Sequence, residues 1–153
     1  MLMTKAESVE VKLPSVLGFE KVAMGTAASA ARLMGFPEDR VEDLKTAIAE
    51  ACINAMEHGN HFNDDLRIAV TLTLRDDALE VLVADKGPGM KNAPDSRTQI
   101  APPDIDKKMH GEEPARGLGM FLIQALMDEA EWVVGGPEGG SYVRLVIRLK
   151  KEN

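Results

Sequence analysis

Two stretches of alternating residues, at 66–74 and 79–85, limit the possible folds of this chain more than any other feature. In each stretch apolar side chains occupy every second position, and a turn at 75–78 separates the two. Because successive residues of a β-strand face opposite sides of a sheet, both stretches predict strands with one apolar face. The short turn joins them into an antiparallel hairpin, and another layer must cover its apolar face.

Helices are predicted to form that second layer. Ser15 is expected to cap a first, alanine-rich helix that ends near Gly35. A second helix opens at Pro37 and ends at Gly59, since proline suits a first helical turn and glycine a helix end. A third helix opens at Arg116 and has an expected buried stripe. That stripe comprises Leu118, Phe121, Leu122, Ala125 and Leu126.

The order of the elements completes the fold prediction. Further short strands are expected at 9–13, 131–134 and 141–149. The chain then reads as strand, two helices, hairpin, loop, helix and hairpin. This order predicts an α+β two-layer sandwich, with helices on one face of a mostly antiparallel sheet.

Composition restricts the classes of function. The 153 residues suit one domain, expected to span 1–153, and 44% hydrophobic with 28% charged residues is typical of a soluble globular protein. A formal net charge of −7 argues against direct nucleic-acid binding. Neither a signal-peptide core nor a membrane-spanning run is present, so a cytoplasmic location is expected. The single cysteine, Cys52, excludes an intrachain disulfide and is expected to pack beside the apolar helix face.

The end of the second helix carries the first candidate functional residues. At about 100° per residue, Glu50, Asn54, Glu57 and His58 fall on one side of the helix. The apolar face lies about a third of a turn away and comprises Val41, Leu44, Ile48, Ala51 and Ala55. The Glu50 carboxylate could take a proton, and the Asn54 amide oxygen could hold Mg²⁺. A solvated helix face would show the same polar pair, so other motifs must decide between these interpretations.

Two glycine-containing motifs supply that decision. Asp85 ends an apolar strand row, where a carboxylate is costly unless something polar binds it, and it leads into Gly87 and Gly89. After a long loop at 91–115, the segment 116–120, Arg-Gly-Leu-Gly-Met, opens a helix. Its free N–H groups, its dipole and Arg116 make a plausible anion site. Ser141 begins the last strand on its inward face, with the backbone, Asp85 or a ligand as its partner.

These three motifs, in this order, resemble the ATP-binding domain shared by gyrase, histidine kinases and MutL, which has the Bergerat (GHKL) fold. Within that group the chain most closely resembles the anti-sigma factor serine kinases of the RsbW/SpoIIAB type, from its first strand to Leu149. The helix segment 50–59, Glu-Ala-Cys-Ile-Asn-Ala-Met-Glu-His-Gly, and the run 126–129 favour this branch.

The resemblance implies roles for the motif residues. Asn54 would hold Mg²⁺ at the ATP phosphates, Glu50 would be the general base, and Asp85 would accept the adenine amino group. Arg116 would assist catalytically at the phosphates, beneath a lid formed by 91–115. Ser141 stands where many relatives carry threonine, and it keeps the hydroxyl. The remaining implied nucleotide contacts are Gly87, Gly89, Met90, Lys91, Gly117, Leu118, Gly119 and Met120.

The same resemblance implies a function and partners. The chain would phosphorylate a serine on an anti-anti-sigma protein of the STAS fold, would sequester a sigma factor, and would form a homodimer. Three alternatives remain from the sequence: an ATP-binding adaptor without transfer, a switch kinase of a stressosome-like scaffold, and a histidine-kinase fragment. Glu50 argues against the first, and the lack of a preceding helical hairpin argues against the third.

Overall fold

A computed structural model describes residues 5–86, 116–134 and 140–150 of the chain. Within these ranges a five-stranded sheet carries helices on one face. Its strands are β1 (Glu7–Pro14), β2 (Arg67–Leu74), β3 (Ala78–Asp85), β4 (Glu129–Val134) and β5 (Ser141–Arg148). The helices are α1 (Glu20–Met34), α2 (Glu38–Asn54) and α3 (Arg116–Leu126), and a π-helical turn, Ala55–Gly59, follows α2.

The sheet has the order β1-β2-β3-β5-β4, and every neighbouring pair is antiparallel. The predicted hairpin is therefore confirmed as the β2–β3 pair, which forms the middle of the sheet with β5. The apolar rows of these strands face the helices and are buried, as are the residues predicted for the apolar face of α2. The α+β two-layer prediction is thus confirmed.

The predicted start of the first helix is wrong. α1 begins at Glu20, and its N-cap residue Phe19 makes no side-chain cap. Ser15 is buried instead, and its hydroxyl donates a hydrogen bond of 2.6 Å to the Leu66 carbonyl. A serine near a helix start reads as a cap in sequence, but here it joins the end of β1 to the start of β2. The predicted end is correct, since Gly35 closes α1 in the left-handed conformation.

The predicted buried stripe of the third helix is only partly correct. Ile123 and Met127 are buried together with Gly119, whereas Leu118 and Ala125 are exposed. These three buried positions repeat every four residues, so they define one face of the helix. The prediction included Leu126, which is partly buried and packs against the core, and it missed the row that begins at Gly119.

Arg40 fastens α3 to α2. Its guanidinium donates to the Leu126 carbonyl at 2.9 Å, at the carboxyl end of α3, and it pairs with Asp43 and Asp128 at 2.9 and 3.1 Å. A cation is favourable at that end of a helix, because the last carbonyls lack partners there. Among the helices of the described ranges, none is long and apolar enough to span a bilayer.

Candidate functional site

A cavity of about 450 Å³, including its open mouth, lies between α2 with its π-helical turn and the half of the sheet that is formed by β3, β5 and β4. The walls are mostly apolar and the polar groups are few, which is the usual composition of a small-molecule site. Three of the sequence-predicted residues line it, namely Asn54, Asp85 and Ser141. The other lining residues are Ala51, Ala55, Gly59, Val83, Ile123, Trp132, Val133, Tyr142 and Val143.

One end of the cavity is built around Asp85, the last residue of β3. Ser141 lies opposite it in the β3–β5 pair, as its inward position in the sequence predicts. Gly59, at the end of the π-helical turn, packs directly on the carboxylate, and a Cβ atom at position 59 would lie 2.7 Å from the Asp85 Cβ. Gly140 has a φ of +83°, and a Cβ there would lie 3.1 Å from the Asp85 carbonyl oxygen. Asp85 therefore sits between two glycine backbones.

Asn60 supports this end of the cavity and was missed by the sequence analysis. Its side-chain oxygen accepts the backbone N–H of Lys86 at 2.9 Å. Its side-chain nitrogen donates to the Ser15 hydroxyl at 3.0 Å and to the Arg67 carbonyl at 3.3 Å. The residue is 1% exposed. The available signal was its position, since a polar residue directly after a helix-ending glycine has ready access to neighbouring strand ends.

The other end of the cavity carries Asn54, the last residue of α2. Within the described ranges, its side-chain nitrogen is buried and has no hydrogen-bond partner. A buried side-chain N–H group without a partner is uncommon, and an acceptor atom of a bound ligand would satisfy it. Asn54 follows Glu50 by one helical turn, so both side chains project from the same side of α2.

Glu50 lies against the start of α3. A Cβ atom at position 119 would be 2.5 Å from Glu50 Oε2, so a larger residue at that position would require the carboxylate end of Glu50 to move. Burial raises the pKa of Glu50 above its ordinary value, because the charged form loses solvation. A carboxylate with a raised pKa is a stronger base than an exposed one, which suits it to accept a proton from a hydroxyl.

An amide and a carboxylate of this kind fit a Mg²⁺–nucleotide complex. Mg²⁺ is commonly held by one or two protein oxygens, with phosphate oxygens and water as its other ligands. The amide of Asn54 can present its oxygen to such an ion, because amide orientation follows the partners that are present. When bound, the ion would neutralise phosphate charge.

The remaining predicted positions divide into two groups. Arg116 and Gly117 begin α3, Leu118 is exposed on it, and Met120 is half-buried. Gly87, Gly89, Met90, Lys91 and the predicted lid 91–115 lie outside the described residues.

Two residues near the site have other surroundings. Cys52 is buried, which confirms its predicted packing role, and burial raises the pKa of its thiol to about 12. His58 is partly buried, and its Nε2 lies 3.7 Å from Glu57 Oε2.

The sequence matches the profile of the histidine kinase-like ATPase domain over residues 19–147. It is 36% identical over 131 residues to the Serine-protein kinase RsbW of Bacillus cereus strain Q1, covering 85% of this chain and 79% of that protein. The corresponding protein of Bacillus anthracis is 35% identical over the same shares.

Solved structures agree on the fold. The RsbU and RsbW domains of a Mycobacterium tuberculosis protein align with a TM-score of 0.61 at 19% identity, over 95% of this chain and 33% of that one. A chain of the SiaB–SiaC complex from Pseudomonas aeruginosa aligns with a TM-score of 0.61 at 15% identity, over 91% of this chain and 88% of that one. Profile, sequence relatives and fold agree, and the chain belongs to the histidine kinase-like ATPase domain family, within it to the RsbW-type serine-protein kinases.

Proposed function

We propose that this chain transfers the γ-phosphoryl group of ATP to a serine of a STAS-type anti-anti-sigma protein and that it sequesters a sigma factor. The observation that carries the proposal is the pairing on α2 of a partly desolvated carboxylate, Glu50, with an amide, Asn54, whose buried nitrogen has no hydrogen-bond partner among the described residues. The cavity that Asn54 lines ends at a second carboxylate, Asp85. A kinase that uses ATP needs both features: a polar group that recognises the base, and a group near the phosphates that takes the proton of the acceptor hydroxyl.

Each residue then has a separate task. Asp85 accepts a hydrogen bond from the adenine amino group, while the apolar cavity walls cover the ring. Asn54 provides an oxygen ligand for the Mg²⁺ that accompanies the phosphates. Phosphoryl transfer requires chiefly positioning and charge stabilisation, so few protein groups need to react.

Glu50 handles the proton. It removes the hydrogen of the incoming serine hydroxyl as the serine oxygen bonds to the γ-phosphorus. The bond from that phosphorus to the bridging oxygen breaks, and ADP leaves with the bonding electron pair. Arg116 would stabilise charge on the transferring group, and 91–115 would close over the phosphates.

The names of the relatives, serine-protein kinases, support a serine as the phosphate acceptor. The STAS protein and the sigma factor are what the family resemblance implies. Phosphorylation of the STAS protein is proposed to weaken its binding and to leave the sigma factor held. In this proposal residues 1–153 form one domain that works as a homodimer in the cytoplasm.

The decisive experiment incubates the chain with γ-labelled ATP, Mg²⁺ and a STAS-domain protein from the same cell. We expect label on one serine of the STAS protein, and none after that serine is changed to alanine. Label on a histidine of this chain would indicate a histidine kinase instead. ATP binding without any transfer would support the adaptor alternative and would contradict the proposal.

A matched pair of variants tests the chemistry. Glu50→Gln should bind ATP normally and lose transfer by at least about 100-fold, since a general base contributes roughly 10²–10⁴. Glu57→Gln removes an exposed carboxylate about two turns further along and should retain transfer. Equal rates in the two variants would show that Glu50 is not the base.

A further inference from the structure

Asn60 lies where its side chain can fix the backbone immediately after Asp85. Its side-chain oxygen holds the backbone N–H of Lys86, the residue next to Asp85. Its side-chain nitrogen is tied to Ser15 and to the Arg67 carbonyl, which belong to the ends of β1 and β2. One amide therefore links the ends of three adjacent strands at the base of the cavity.

The network allows only one orientation of this amide. The Lys86 N–H requires an acceptor, and the Arg67 carbonyl requires a donor, so the oxygen and nitrogen of Asn60 cannot exchange places. The Ser15 hydroxyl donates its own hydrogen to the Leu66 carbonyl and therefore accepts from Asn60. Since the side chain is 1% exposed, water does not compete for these bonds.

The residue before Asn60 contacts Asp85 directly. Gly59 packs on the Asp85 carboxylate with no room for a Cβ atom. Gly59 and Asn60 are consecutive, and so are Asp85 and Lys86. The π-helical turn aligns these two pairs of residues. In it the backbone N–H of Asn60 bonds to the Ala55 carbonyl, five residues back, at 2.9 Å, which widens the turn.

We propose that Asn60 is a positioning residue for base recognition: by holding Lys86 it fixes the Asp85 carboxylate where an exocyclic amino group of a purine can reach it. The inference rests on the proposed nucleotide-binding role of Asp85. Asn60 would not touch the nucleotide, and its effect would pass through one backbone hydrogen bond. Discrimination between purines should therefore depend on Asn60 more strongly than affinity for the phosphates does.

The test compares two ligands, ATP and purine riboside triphosphate, which lacks the 6-amino group. The native protein should bind ATP at least about tenfold more tightly than the analogue, the value of one hydrogen bond to a charged group. Asn60→Ser, whose shorter side chain cannot span the network, should lose most of that preference by weakening ATP binding. Its affinity for the analogue should change less than about twofold, because the phosphate contacts remain.

A control variant separates positioning from stability. Ser15→Ala removes one arm of the network and leaves the bond to Lys86, so it should lower the urea midpoint and keep the preference for ATP.

The possible results are distinct. If Asn60→Ser weakens both ligands equally, or neither, the residue is only structural and the inference is wrong. If Ser15→Ala loses the preference, the bond to Lys86 is not what matters, and the inference is again wrong, even where Asn60→Ser does not fold. If the native protein shows no preference, Asp85 does not recognise adenine, and the proposed function of Asp85 fails with it.

Discussion

The two ends of the cavity share one feature, a carboxylate against a glycine, but the two carboxylates have different proposed roles. At each end a carboxylate packs against a glycine: Asp85 against Gly59, and Glu50 against Gly119. A Cβ atom on Gly59 would collide with the Asp85 side chain as far as its Cβ atom, whereas a Cβ atom on Gly119 would collide only with the end of the Glu50 side chain. Neither glycine has a positive φ, so space and not backbone freedom is what requires it. The environments of the carboxylates nevertheless differ.

The difference is in how each carboxylate is held. The chain beside Asp85 is fixed by the buried amide of Asn60 and by pairing with β5. For Glu50 the main influence is the loss of solvation on burial, which raises the pKa of its carboxyl group. Fixed geometry suits recognition of a rigid base, whereas a desolvated carboxylate suits proton transfer. Under the proposed function, the Asp85 end would determine affinity and the Glu50 end would determine turnover, and four predictions test this.

The largest effect is expected from Gly119→Ala. The added methyl group must displace the Glu50 carboxylate, and a misplacement of about 1 Å can cost on the order of 100-fold in rate. We expect kcat to fall by about 10- to 100-fold, with less than about a threefold change in ATP affinity. Single-turnover transfer and equilibrium binding would be measured side by side. A loss of affinity without a loss of kcat would reverse the roles assigned to the two ends.

Gly59→Ala should show the opposite pattern. Its methyl group collides with Asp85, so we expect ATP affinity to fall by about tenfold and stability by about 1–3 kcal/mol, the usual cost of overpacking. At saturating ATP, kcat should stay within about threefold of the native value. Isothermal calorimetry and urea unfolding provide the two measurements. If Gly59→Ala and Gly119→Ala change the same kinetic parameter, the division between the two ends is wrong.

The acid limb of the pH profile should report on Glu50. Since burial raises the pKa of this carboxyl, the base form is lost at a higher pH than for an ordinary glutamate, whose pKa is about 4.3. We therefore expect kcat/KM to fall as the pH drops through this raised value, and the fall should be absent from the residual activity of Glu50→Gln. A limb at the ordinary glutamate value would contradict desolvation of Glu50.

The smallest expected effect is a gain in stability for Glu50→Gln. A carboxyl whose pKa is higher in the folded than in the unfolded state costs stability above the unfolded value, and the cost vanishes at lower pH. The variant should therefore melt roughly 1–3 °C higher at pH 7, and the gain should disappear below about pH 4. Glu57→Gln is the control. A lower melting temperature for Glu50→Gln at pH 7 would indicate that Glu50 supports the fold.

Much of the fold was predictable because it follows from patterns along the chain. Alternation located β2 and β3, and a periodicity of 3.6 located α2 with its buried face. The stripe of α3 was predicted only in part because nearly every residue there is apolar, so periodicity could not distinguish the faces. The start of α1 failed because Ser15 bonds to Leu66, 51 residues away, and local capping rules do not contain that contact.

The site was predictable in its residue types and not in its supports. Asp85 and Asn54 stand out in sequence as polar groups at the ends of apolar elements, and the cavity brings them together. Gly59, Gly119 and Asn60 act through residues that are distant in sequence. Without alignment of the strands and the π-helical turn, no spacing rule connects Asn60 to Lys86.

The burial of Cys52 has a practical consequence. A thiol with a pKa of about 12 presents almost no thiolate at neutral pH, and this one is enclosed by the core two residues from Glu50 and two from Asn54. Alkylating reagents can therefore modify it only when α2 opens. Because it is the sole cysteine of the chain, its alkylation rate measures how often α2 opens. Slower alkylation in the presence of a nucleotide would therefore report nucleotide binding without any engineered label.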